Sequence, residues 1–102
     1  MGLDPGYRMG CKVAVVDGTG KVLDTGVIYP APPHKKIGEA KALLKDWVAR
    51  YGIEIIAIGN GTASHETEVF ASELLKELAA EGFVERYVRR SGELRLFHRV
   101  AR

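Results

Sequence analysis

Two acidic residues in this sequence are placed where they could take part in phosphate chemistry. Asp4 follows a short apolar segment and precedes Pro5 and a turn that runs to Gly10. A carboxylate at the end of the first strand of an α/β sheet is well placed to hold a cation or to face a phosphate. Glu66 supplies a second carboxylate if the start of its predicted helix faces Asp4, and two-metal hydrolysis of a phosphodiester requires several such ligands. Both residues also have a structural interpretation, because aspartate can cap a turn and glutamate stabilises a helix start.

The segment from Gly59 to Ser64 (GNGTAS) is a second candidate site for phosphate. It lies between a predicted strand and a predicted helix, where backbone N–H groups point at a bound anion. Asn60, Gly61, Thr62 and Ser64 are therefore predicted phosphate-binding residues. The spacing is close to a dinucleotide-binding glycine motif, but the acidic residue expected about 20 positions later falls within a helix or at its end. A tight strand-to-helix connection is the alternative interpretation.

Three residues close to Asp4, namely Tyr7, Arg8 and Lys12, complete the predicted nucleic-acid-binding set. Tyr7 is placed to stack on a base and Arg8 to contact a phosphate, although aromatic residues in loops also cover the edge of a core. If the site holds a metal ion, Asp4 is its predicted ligand and Mg²⁺ is the predicted ion.

The hydrophobic pattern predicts an α/β domain that opens with three antiparallel strands, at residues 1–4, 11–16 and 22–29. Asp17 belongs to the turn between the second and third strands. Prolines from residue 30 onward end this part of the sheet, because proline cannot donate a ladder hydrogen bond.

A helix, a strand and a second helix follow along the chain. Apolar residues recur with helical spacing over residues 40–51, and Gly52 suits a left-handed C-terminal cap. The apolar run at residues 53–58 predicts a central strand that is parallel to the first strand and covered on both faces. The second helix is predicted to have Ser64 as its N-cap residue and to end at Gly82.

The composition is that of one ordinary globular domain with a local excess of arginine. The 102 residues are 46% apolar and 27% charged, and no apolar run approaches the roughly 20 residues of a membrane span. A lone cysteine, Cys11, excludes a disulfide within the chain, so a cytoplasmic location is the default expectation. Residues 81–102 contain six arginines against three glutamates. This excess is compatible with nucleic acid, although a solvated basic edge is the alternative.

Three blocks of sequence resemble the YqgF-like domain of the Tex family of bacterial transcription accessory proteins. They are GLDPGYRMGCKVAVVD at residues 2–17, IYPAPP at 28–33 and IAIGNGTASHET at 56–67. The resemblance implies an α/β, ribonuclease H-like fold with a mixed sheet of order 3-2-1-4(-5) and helices packed on the sheet. The domain is expected to span residues 1–82, and residues 83–102 are interpreted as a divergent or truncated arginine-rich end of the same domain.

The resemblance implies a cytoplasmic module that is associated with nucleic acid, belongs to a larger parent protein, has no membrane partner and has no catalytic activity of its own. A metal-dependent nuclease or Holliday-junction resolvase that uses Asp4, Glu66 and Mg²⁺ is the first alternative. An actin-like phosphotransferase fragment is the second. A homodimer through the sheet edge is a further expectation, because an incomplete fifth strand would leave the apolar strand near residues 55–58 unpaired.

Overall fold

The structure is a computed structural model that describes residues 1–31, 35–90 and 92–98. Residue 91 and residues 99–102 of the expected divergent end lie outside the described residues. The described residues form the following strands and helices in chain order: β1 (Gly2–Asp4), β2 (Cys11–Val16), β3 (Val22–Ile28), α1 (Ile37–Tyr51), β4 (Ile55–Ile58), α2 (Ser64–Ala80), β5 (Arg86–Arg90) and β6 (Glu93–Phe97).

These strands form one mixed sheet of order β3-β2-β1-β4-β6-β5. The first three strands pair antiparallel in sequence, and β4 runs parallel to β1, as predicted. The predicted order 3-2-1-4 is therefore confirmed. The place beside β4 is taken by β6 rather than by the fifth strand, because the chain turns back in a β5–β6 hairpin that leaves β5 at the edge.

Pairing on both sides of β4 corrects the expectation of an open apolar edge at residues 55–58. β1 lies on one side of β4 and β6 lies on the other. The expectation assumed an incomplete fifth strand, whereas the chain after α2 supplies two strands that pair with each other. The outer strands of the sheet are β3 and β5, so the predicted homodimer loses the β4 edge on which it depended.

The ends of the helices follow from a few residues. α1 ends at Gly52, whose φ of 59° is the left-handed conformation predicted there. The predicted N-cap role of Ser64 is wrong, because Ser64 is already the first residue of α2 and Ala63 occupies the cap position. The first helical turn is closed at Ala63, whose carbonyl accepts from the Thr67 N–H at 3.0 Å. In the part of the chain that the structure describes, neither helix combines the length and hydropathy needed to cross a bilayer.

Both helices pack on one face of the sheet, which we call the covered face. Their inward residues and alternate strand residues form a single buried core. The main contributors from the strands are Leu3, Cys11, Val13, Val15, Ile56, Leu94 and Leu96, and those from the helices are Ala40, Leu44, Trp47, Val48, Phe70, Ala71, Leu74, Leu75 and Leu78.

The opposite face of the sheet, which we call the open face, carries the other alternate residues and meets no helix of the described chain. On β4, Ile55 is 40% exposed whereas its neighbour Ile56 is fully buried. The prediction that this strand is covered on both faces is therefore wrong. A short apolar run shows that a strand lies centrally in a sheet, but it does not show whether a second layer covers it. Gly2, Ala14 and Ala57 line a shallow groove of about 680 Å³ on this face.

Charged residues join the outer surfaces of the two helices. Lys41 and Lys45 of α1 both form salt bridges with Glu77 of α2, and Glu73 and Glu81 extend the network. Hydrogen bonds from the two lysines, Lys41 first, hold the pKa of Glu77 below its usual value. The network links α1 to α2 above the covered face.

Candidate functional site

The C-terminal ends of β1 and β4 lie at the same rim of the sheet, because the two strands are parallel neighbours. Across these ends, the Gly59 N–H donates to the Leu3 carbonyl at 2.9 Å. Asp4 and the glycine turn that begins at Gly59 therefore leave the sheet side by side, as predicted. We call this part of the molecule the β1–β4 rim.

A close approach of two backbone segments requires glycine at position 61. A Cβ atom added to Gly61 would lie 2.3 Å from the carbonyl oxygen of Pro5, a distance that a real Cβ does not reach. Any side chain at this position would force the segments apart. Because Pro5 is itself buried, the contact holds the glycine turn against the residues that follow Asp4.

A hydrogen bond connects the first turn to the start of α2. The Tyr7 hydroxyl donates to Glu66 Oε1 at 3.0 Å. This hydrogen bond raises the pKa of Tyr7, and burial and the negative charge of Glu66 add to the effect. The second carboxylate oxygen, Glu66 Oε2, is buried and has no hydrogen-bond partner among the described residues. Glu66 is therefore in the first turn of α2 at the rim, as predicted, with one of its oxygens bound by the protein.

Asp4 lies on the open face directly opposite Lys12 in the β1–β2 register, and both side chains are exposed. Behind them, burial raises the pKa of the Cys11 thiol to about 12, and the charge of Asp4 contributes in the same direction. No three His, Cys, Asp or Glu side chains gather in a metal-binding arrangement anywhere in residues 1–31, 35–90 and 92–98. Within these ranges, Asp4 and Glu66 have no third side chain of these types beside them to complete a metal site.

The other predicted binding residues also lie around the β1–β4 rim. Asn60 and Thr62 are exposed in the glycine turn, and Ser64 is half-buried at the start of α2. The Ser64 N–H donates to the Gly61 carbonyl at 3.3 Å, so the turn already uses this donor. Arg8 is exposed in the turn between β1 and β2. The fold brings these residues to one rim, and their roles in binding stay predictions.

The β5–β6 hairpin brings further basic residues to this rim, which the sequence analysis did not predict. The Ile58 N–H at the end of β4 donates to the Gly92 carbonyl at 2.9 Å. Because Arg90 pairs with Glu93 next to this contact, the end of β5 reaches the rim as well. Two runs of alternating residues separated by Ser-Gly are a hairpin signal. That signal was present in the sequence, after the three blocks that resemble the Tex family.

A meander of three strands followed by a helix, a strand parallel to the first strand and a second helix is the arrangement of a ribonuclease H-like domain. The family described as Tex protein YqgF-like domain matches residues 1–93. The chain belongs to this family, and its fold is ribonuclease H-like.

The chain is also similar to proteins from two bacteria and from human. The chain is 49% identical over 75 residues to Protein tex of Bordetella pertussis, which covers 74% of this chain and 10% of that protein. It is 49% identical over 76 residues to transcriptional accessory protein Tex of Neisseria gonorrhoeae, again 74% and 10% of the two chains. It is 38% identical over 76 residues to human S1 RNA-binding domain-containing protein 1, with 74% and 7% covered. The chain thus spans about a tenth or less of the length of these relatives.

Proposed function

We propose that the chain is the nucleic-acid-associated module of a Tex-type transcription accessory protein and has no catalytic activity of its own. The observation that carries the proposal is the β1–β4 rim, where the glycine turn, the start of α2 and the basic residues Arg8 and Lys12 come together. Backbone N–H groups at a helix start and cationic side chains are common donors to phosphate oxygens. The human relative is named for an S1 RNA-binding domain, which supports nucleic acid as a partner of the parent protein.

The arrangement of the carboxylates favours binding over hydrolysis. Two-metal hydrolysis requires ligands that hold two cations about 3.5–4 Å apart. Among the described residues the rim contributes Asp4 and Glu66 without a third acidic, histidine or cysteine side chain beside them. One oxygen of Glu66 is bound to the Tyr7 hydroxyl, so this carboxylate has a structural role in joining the first turn to α2.

A gel-shift series with single-stranded, duplex and junction substrates, each as DNA and as RNA, tests the proposed function. If the chain contacts a few phosphates, raising the salt concentration from roughly 50 to 200 mM should weaken binding by about tenfold. The variant Arg8→Gln/Lys12→Gln should bind more weakly than the wild type. The control Lys21→Gln/Lys76→Gln removes the same charge from exposed positions away from the rim and should bind nearly normally. Failure of the wild type to bind any substrate would refute the proposal.

One observation favours a metal-dependent nuclease as a second candidate function. Glu66 Oε2 is buried without a hydrogen-bond partner in the described chain, and a buried unpaired carboxylate oxygen is costly. A Mg²⁺ ion would satisfy it, with Asp4 as the other protein ligand. The ion would supply charge stabilisation at a phosphodiester, and Asp4 and Glu66 would position it.

A Mg²⁺ titration followed by amide NMR separates the two candidates. A nuclease site predicts shifts concentrated at Asp4 and Glu66 that disappear in the Asp4→Asn variant. They should persist in Asp17→Asn, because Asp17 accepts hydrogen bonds within the β2–β3 turn. An unchanged spectrum would remove the nuclease candidate and leave the binding function in place.

The same proposal extends to the surroundings of the module. The lengths of the relatives support a larger parent protein whose other domains are partners of this one, and we place that protein in the cytoplasm as part of the proposal. Within the chain, residues 1–82 form the domain proper and residues 83–102 are its divergent end. Limited proteolysis tests this division, because a divergent but integral end should be cleaved together with the domain rather than before it.

A further inference from the structure

The β5–β6 hairpin places two arginines at the rim that carries the proposed nucleic-acid site. The tip of the hairpin is held beside β4 by the hydrogen bond from Ile58 to Gly92 and by the pairing of Ala57 with Glu93. Arg89 and Arg90 are the last residues of β5, next to this tip. They lie three strands from β1, which is about 14 Å at the usual spacing of strands in a sheet.

The arginines of the hairpin divide into an engaged pair and an unengaged pair. The Arg86 guanidinium lies 3.9 Å from the centre of the Phe97 ring. Arg95 Nε lies 3.2 Å from Glu93 Oε1 in a salt bridge. Arg89 and Arg90 are exposed, and neither forms a salt bridge or a ring contact with any part of the chain that the structure describes. The engaged pair has a structural role, whereas the unengaged pair is available to a ligand.

A polar cleft accompanies the unengaged pair. It has a volume of about 340 Å³ and is lined by Arg89, Arg90 and Gly92 at the hairpin tip and by Glu68 and Ser72 of α2. Glu93 also lines the cleft, and its carboxylate forms a salt bridge with Arg95. Glu68 is therefore the acidic residue of the cleft that forms no salt bridge within the part of the chain that the structure describes.

We propose that Arg89 and Arg90 bind the phosphate backbone of a nucleic acid, so that the strand runs along the rim from the glycine turn to the hairpin tip. This inference rests on the proposed function and assigns it a second contact point. The guanidinium group suits phosphate because it donates two parallel hydrogen bonds and keeps its charge. The glycine turn follows β4, which lies two strands from β5, so the span is about 10 Å, or roughly three phosphate steps along one strand of a duplex. Ser72 also lines the cleft, but its hydroxyl already donates to the Glu68 carbonyl at 2.9 Å.

Two double variants with the same change in net charge test this inference. Arg89→Gln/Arg90→Gln removes the unengaged pair, and Arg86→Gln/Arg95→Gln removes the engaged pair. The affinity of each full 102-residue chain for fluorescein-labelled single-stranded and duplex oligonucleotides is measured by anisotropy across salt concentrations. Loss of the unengaged pair should weaken binding about tenfold or more and reduce the single-strand salt slope by about 1.4, or 0.7 for each phosphate contact. The engaged-pair control should change affinity less than about threefold. Melting curves check that each variant is folded.

A third variant acts in the opposite direction. Glu68→Gln removes the opposing charge from the cleft and should tighten binding by about two- to fivefold at low salt. Equal weakening by both double variants would show that the overall charge matters rather than the tip, and no effect of Glu68→Gln would show that this carboxylate does not oppose the bound phosphate. Either result makes the inference fail although the proposed function stands. A wild-type chain that shows no salt-dependent binding would overturn both.

Discussion

The two faces of the sheet are built from alternate residues of the same strands, yet they are packed differently. The covered face is sealed by α1 and α2 in one core. The open face leaves Val16, Val27 and Ile55 exposed, and it also presents Asp4 and Lys12 at the rim. Because neighbouring strand residues point to opposite faces, stability and surface chemistry are carried by separate sets of residues. Substitutions on the two faces should therefore have separable effects.

The largest expected difference is between the neighbours Ile56 and Ile55. Ile56→Ala removes a fully buried side chain and should lower the free energy of unfolding by about 2–5 kcal/mol. Ile55→Ala acts on the open face and should cost less than about 1 kcal/mol. Urea unfolding followed by the fluorescence of the buried Trp47 measures both. Equal losses would show that the open face is covered in solution.

The reactivity of thiols gives a second comparison of the faces. The raised pKa of Cys11, about 12, is caused first by burial on the covered face. Only the thiolate reacts, so at about pH 8 Cys11 should be modified roughly a thousandfold more slowly than an ordinary thiol with a pKa near 8.5. The matched variant Cys11→Ala/Ala14→Cys moves the thiol to the open face of the same strand and should react at a normal rate. Rapid modification of native Cys11 by a disulfide reagent contradicts this expectation.

The contact at the rim, where the two faces meet, should have an intermediate effect. Gly61→Ala places a methyl group against the Pro5 carbonyl and should destabilise the domain by about 1–3 kcal/mol. Gly38→Ala is the control, because an added Cβ there meets no atom within 4 Å, and a helical alanine should stabilise by about 0.5–1 kcal/mol. The melting temperatures of the two variants should shift in opposite directions. An unchanged melting temperature for Gly61→Ala would mean that the first turn moves easily to make room for the methyl group.

The smallest effect is expected on the outside of the helices that form the covered face. Glu77→Gln breaks both lysine contacts, but the site is partly exposed, so the loss should be a few tenths of a kcal/mol. Because the folded pKa of Glu77 is lowered, its contribution is present above the unfolded carboxyl pKa of about 4.3 and is lost as the pH falls through the folded value. Urea unfolding at about pH 7 and about pH 3 should therefore separate Glu77→Gln from wild type only at the higher pH. Glu85→Gln, an exposed control, should match wild type at both.

Local patterns predicted the first four strands and both helices well. β2 has the predicted bounds, and Gly52 caps α1 in the left-handed conformation. The side-by-side placement of Asp4 and the glycine turn followed from the parallel pairing of β1 with β4. The glutamate at position 66 was placed correctly, but its hydrogen bond to Tyr7 joins residues 59 positions apart, and no local pattern contains that information.

The errors concern the second layer and the last two strands. A run of isoleucines was expected to be covered on both faces, and β4 was expected to have an open edge. The first prediction failed because hydrophobicity reports that a residue can be buried without reporting which element reaches it. The second failed because it assumed an incomplete fifth strand, whereas β6 pairs with β4. The hairpin at the end of the chain was missed although Ser-Gly separates two alternating runs.

The sequence by itself determined the types of the elements, the residues that share a face, the glycine positions that turns require and the membership in the Tex YqgF-like family. The tertiary structure alone decided that β6 pairs with β4, that both helices lie on one face and that Arg89 and Arg90 reach the β1–β4 rim. The physical reason is that periodicity and turn chemistry act over a few residues, whereas strand pairing and layer packing join segments that are far apart in the chain.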